Sequence, residues 1–201
     1  MNDAGYRIAY WISFLFHPFV IVAPLFYIVS FRYAEHAYEG ALWGTLVCVG
    51  VAGAPYAFIR RGVKQGRWTD RDISRREQRL APFLITLGCM LLSMVLLLVL
   101  RAPLPLLATF SGMVLAVAAA LLVTQLARWK ISLHLIGFTG AVLTLALLVT
   151  PRAYGLVPLI AVVGWARWRV RAHTPMQAAA GAALAAVVTF AVVGLFGLFK
   201  N

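Results

Sequence analysis

Acidic residues are what this chain has least of. Asp3, Glu35, Glu39, Asp70, Asp72 and Glu77 are its only carboxylates, and none follows Glu77 in a chain of 201 residues. A site that grips a metal between two acidic stretches therefore has only one stretch to draw on. Cysteine is nearly absent too. Cys48 and Cys89 lie inside apolar runs without metal-ligand spacing, which excludes a disulfide framework and a thiolate metal centre. Charge of either sign is scarce, at 12% of residues against 63% hydrophobic, a balance that no soluble domain of this size could bury.

What the chain has instead is long uncharged runs. A bilayer core of about 30 Å needs roughly 17 to 25 apolar residues in a helix, the only open-chain form that satisfies its own backbone in hydrocarbon. Seven candidates are present, at 8–31, 40–59, 80–100, 102–127, 131–151, 153–166 and 174–199. The sixth is short, so either Arg167 and Arg169 lie on its last turn and snorkel, or it tilts little and draws this stretch below the headgroups; both put Arg167 in a recessed site. The first run is too long for a signal peptide and holds His17 and Pro18 in its middle, so it is expected to remain. The expected fold class is all-α, a polytopic transmembrane helical bundle with six to seven membrane segments. It forms a single domain over 1–201.

The bases follow a topology rather than a nucleic-acid footprint, and no nucleic-acid partner is expected. If every run crosses, only Arg32, Arg101, Arg152 and Lys200 of the 18 lysines and arginines fall on the face opposite the amino terminus. The positive-inside rule then puts the amino terminus and the crowded face in the cytoplasm, as in a bacterial-type inner (plasma) membrane protein. The basic stretch 60–79 is expected on the membrane surface, either as an anionic-lipid anchor or as a source of phosphate ligands. Small residues, Ala178 to Ala180 with Gly181, Ala182 and Ala185, and also Gly137 and Gly140, would let helices approach closely.

Two stretches on the crowded face carry chemistry. In WARWRVRAHTPMQ (165–177), Arg167 is followed after five residues by His173, and His173 after three more by Gln177. In KISLH (130–134), Ser132 and His134 flank one residue at the start of an apolar run, next to Lys130. Phosphoryl transfer needs positive charge around the phosphate oxygens, a nucleophile in line and an acid on the leaving oxygen, and these residues offer each. His17, deep in the first run, is read as a packing or hydrogen-bonded residue of a kinked helix, and His36 as solvated in the opposite loop.

The pattern resembles the type 2 phosphatidic acid phosphatase superfamily, which includes the vanadium haloperoxidases. The resemblance covers about 70–199. At the positions of its third motif, serine, arginine, five residues, histidine, three residues, aspartate, stand Ala166, Arg167, His173 and Gln177, of which the arginine and histidine match; at those of its second, proline, serine, glycine, histidine, stand Ile131, Ser132, Leu133 and His134, of which the serine and histidine match. In the first, Arg79 takes the arginine, with Asp72 at the lysine and Leu80 at the proline. The resemblance implies a lipid phosphate substrate reached from the bilayer, with neither metal nor other cofactor. It implies His173 as the nucleophile that forms a phosphohistidine and His134 as the acid on the leaving alcohol. Arg167, Ser132, Arg79, Lys130 and Arg76 would bind phosphate. Gln177 would orient the nucleophilic ring without the charge that an aspartate brings.

Three other readings stand beside this one. A catalytically inactive lipid-phosphate-binding protein is suggested by Gln177. A transporter would need charges deep in the spans, where apart from His17 there are none. A membrane prenyltransferase would use TDRDISRREQR (69–79) as a magnesium clamp, but it requires a second acidic motif.

Overall fold

The computed structural model describes residues 3–69, 75, 78 and 80–199. Among the described residues every regular element is helical. α1 (Ala4–Leu15) and α2 (Pro18–Tyr33) meet at a 44° bend, and α3 (Ala37–Cys48) runs through a π-helical turn at Val49–Gly53 into α4 (Ala54–Lys64). α5 (Leu80–Val99) and α6 (Leu104–Leu126) follow. α7 (Leu133–Thr144) continues through a second π turn, Leu145–Val149, and a 3-10 turn, Pro151–Leu156, leads into α8 (Pro158–Arg169) and then α9 (Pro175–Leu195).

Four of these helices are long and apolar enough to cross a membrane, Ala37–Lys64, Leu80–Val99, Leu104–Leu126 and Pro175–Leu195; the bent α1–α2 pair makes five. The other runs are cut by proline. Pro151 and Pro158 each open a helix, where a missing N–H costs nothing, and so divide 131–166 into Leu133–Val149 and the 12-residue α8. His17 and Pro18 divide the first run in the same way. The lateral surface of the bundle is apolar: on α5, Leu91, Leu92, Val95, Leu98 and Val99 are all exposed. An exposed patch of that kind suits lipid contact, and the helices are compatible with an integral membrane protein.

α2 and α7 lie side by side and run in the same direction. At their starts, Pro18 lies 3.7 Å from where a Cβ on Gly137 would stand; at their ends, the Tyr33 hydroxyl donates to the Leu148 carbonyl. α8 returns beside α1, and Arg169 at its last turn pairs with Asp3, the N-cap of α1. One interior cluster joins Phe26, Phe110, Met90, Leu97 and Leu106 from α2, α5 and α6; another joins Leu135, Phe138, Val142, Val163 and Ala178 from α7, α8 and α9. Hydroxyls inside helices bond their own backbone, Thr86 to the Pro82 carbonyl, Thr109 to Pro105 and Thr124 to Ala120.

Candidate functional site

The spacing from Arg167 to His173 is closed by a helix end. α8 stops with Arg171 in the left-handed region at φ 56°, and the Arg167 carbonyl accepts both the Ala172 N–H at 3.0 Å and the His173 N–H at 3.2 Å. That turn folds the chain back so that His173 returns beside Arg167. The next helix then starts at once, with Thr174 as N-cap and Pro175 at its first position. On the other stretch Ser132 is the N-cap residue of α7, so His134 lies in its first turn.

Three contacts tie the two stretches together. The Lys130 ammonium donates to the Ala172 carbonyl at 3.2 Å, the Ser132 N–H donates to the Gln177 carbonyl at 3.3 Å, and Gly181 sits directly against the Ser132 carbonyl. The small residues of α9 thus do what small residues do between membrane helices, allowing backbones to touch.

The result is a cavity of about 220 Å³ whose wall includes His134, Arg167 and His173. All three are buried, with Arg167 7% exposed, a low figure for an arginine. The rest of the wall is mostly apolar. It follows α7 and its π turn from His134 to Leu148, a helical length of about 21 Å, and α9 as far as Val193. The first turns of α2 and α7 abut this cavity, at His17 to Phe19 and Leu133 to His134, and His173 joins the wall from the turn that precedes α9. Helix starts carry partial positive charge, so their convergence beside Arg167 favours an anion.

The remaining expected residues fall elsewhere. Ser132 is fully buried next to the cavity wall, and among the described residues its hydroxyl has no hydrogen-bond partner. Lys130 is half-buried on the Ala172 carbonyl. Arg76 and Arg79 lie outside the described residues. Gln177, expected to orient the His173 ring, is engaged at the helix start: its side-chain oxygen accepts the Thr174 N–H at 3.1 Å, while its own N–H donates to the Thr174 hydroxyl at 3.3 Å. These two bonds form a capping box, which claims the side chain because a helix start leaves orphan N–H groups to satisfy.

One wall residue was not placed in the site from the sequence. His17, read as a packing or hydrogen-bonded residue of a kinked helix, does stand at the bend between α1 and α2 with its Nδ1 accepting the Phe19 N–H, and it also lines the cavity, its ring against that of His134. The available signal was an ionisable side chain deep in an uncharged run, immediately before a proline.

No protein-family model matches the chain, and neither a curated protein nor a solved structure is significantly similar to it.

Proposed function

We propose that the protein is an integral membrane phosphatase that hydrolyses a lipid phosphate without a metal, a divergent relative of the type 2 phosphatidic acid phosphatases. The observation that carries this reading is that His134, Arg167 and His173, from two separate stretches, line one cavity that is otherwise mostly apolar. A phosphate head would take the charged part of such a cavity and an alkyl chain the apolar slot along α7 and α9. The chain would cross the membrane six to seven times, with Leu133–Val149 and α8 as short crossings inside the bundle. The amino terminus and the site would then face the cytoplasm of a bacterial-type inner membrane.

In this reading a ring nitrogen of His173 attacks phosphorus and the bond to the lipid oxygen breaks. The leaving oxygen takes a proton from His134. Water then attacks the phosphohistidine, His134 recovers a proton from that water, and the phosphorus–nitrogen bond breaks to release inorganic phosphate. Arg167 neutralises the equatorial oxygens through its planar fork, a geometry that an ammonium lacks. The experiment is phosphate release from a panel of lipid phosphates by detergent-purified protein in excess chelator. Release abolished by His173→Ala and by His134→Ala supports the phosphatase; release that needs magnesium, or that survives loss of His173, rejects it.

A second reading is favoured by the capping box. With Gln177 committed to Thr174, the third-motif aspartate position serves the helix start, which would suit a protein that binds lipid phosphates without turning them over. Saturable binding of a lipid phosphate with no phosphate release would select it.

A further inference from the structure

We propose that His17 is a positioning residue of this site, acting on the chemistry through the ring of His134; the inference rests on the phosphatase reading above. The two rings meet at a centroid distance of 5.0 Å and an interplanar angle of 82°, and both lie on the cavity wall. This edge-to-face contact is the preferred arrangement of two rings, and it restricts rotation of each.

His17 is itself held from two directions. Its Nδ1 accepts the Phe19 N–H at 3.2 Å, so the neutral ring carries its proton on Nε2. Pro18 fixes the backbone at the first position of α2 and packs against Gly137, one turn beyond His134. The first turns of α2 and α7 are thereby locked together, and each presents one imidazole to the same cavity. The cap on the Phe19 N–H engages Nδ1, and the ring itself has a second task. The task available is next to it. A general acid has to hold its proton within hydrogen-bond reach of the leaving oxygen, and a ring free to turn spends much of its time elsewhere.

The test separates capping from positioning. His17→Asn keeps a side-chain oxygen to accept the Phe19 N–H but removes the ring, whereas His17→Ala removes both. Thermal unfolding in detergent, steady-state phosphate release and the 15N resonances of the His134 ring are measured on each. The expected result for His17→Asn is a wild-type unfolding temperature, kcat lower by roughly tenfold to a hundredfold with KM little changed, and displaced His134 resonances. A His17→Asn protein with wild-type kcat, or with His134 resonances unmoved, overturns the proposal and leaves His17 a cap. If the wild-type protein releases no phosphate from any lipid, the phosphatase reading fails by itself. The His134 resonances then still decide the pairing, displacement in His17→Asn upholding it and coincidence with wild type overturning it.

Discussion

Gly181 and Ser132 are in backbone contact: a Cβ on Gly181 would stand 2.7 Å from the Ser132 carbonyl oxygen and 3.3 Å from the Leu135 side chain. The atom in the way is main chain at the start of α7, so relief requires moving a helix. We predict that Gly181→Val destabilises the protein by about 1–3 kcal/mol, as overpacking does, and, if the phosphatase reading holds, lowers turnover by separating His134 from His173. Gly88→Ala, at a helical glycine with open space around it, is the control and should be neutral or stabilising by up to about 1 kcal/mol. Thermal unfolding of both variants in detergent checks this.

The Thr174–Gln177 capping box predicts a paired effect. Gln177→Ala and Thr174→Ala should each cost about 1 kcal/mol, and the double variant should cost less than their sum because each residue's bond depends on the same helix start. A double-mutant cycle in unfolding free energy measures the coupling. Gln177→Glu keeps an acceptor for the Thr174 N–H and should preserve stability.

Three helix ends are closed by arginines in a conformation that favours glycine, Arg101 at φ 52° after α5, Arg128 at φ 51° after α6 and Arg171 at φ 56° after α8. A side chain there is strained by roughly 1–2 kcal/mol, partly offset by the freedom that a glycine gains in the unfolded chain. Arg171→Gly should therefore raise the unfolding temperature. If the phosphatase reading holds, activity should fall little, because Arg171 is exposed and lies off the cavity wall.

Arg167→Lys retains the charge and loses the fork. If the phosphatase reading holds, kcat/KM for a lipid phosphate should fall at least about tenfold, and inorganic phosphate should inhibit more weakly than in wild type.

Sidedness is open to chemical labelling. With Cys48 and Cys89 replaced by serine, single cysteines at Lys64, Arg128 and Arg169 should react from the cytoplasmic side, and those at Arg101 and Arg152 from the other. Reaction of Arg169 and Arg101 positions from one side would contradict the proposed crossing of α6 to α8.

The apolar runs by themselves determined an all-helical chain with helices long enough for a bilayer, because composition alone decides what can be buried in water. Run length also offered the last turn of α8 as one of two placements for Arg167 and Arg169, and small residues pointed to the close approach of α7 and α9. The convergence of Arg167, His134 and His173 on one cavity was anticipated from chain order and a common face, although which walls enclosed it was not. Two things needed the tertiary structure. Gln177 could be read in one dimension as a neighbour of His173, since four residues along a helix is about one turn; that its side-chain carbonyl accepts the Thr174 N–H at the start of α9 is a contact only the folded structure shows. His17 is more than a hundred residues from His134 in sequence. Nothing local could pair them, because their contact is created by α2 packing against α7 at Gly137, and packing between distant segments is a property of the whole bundle.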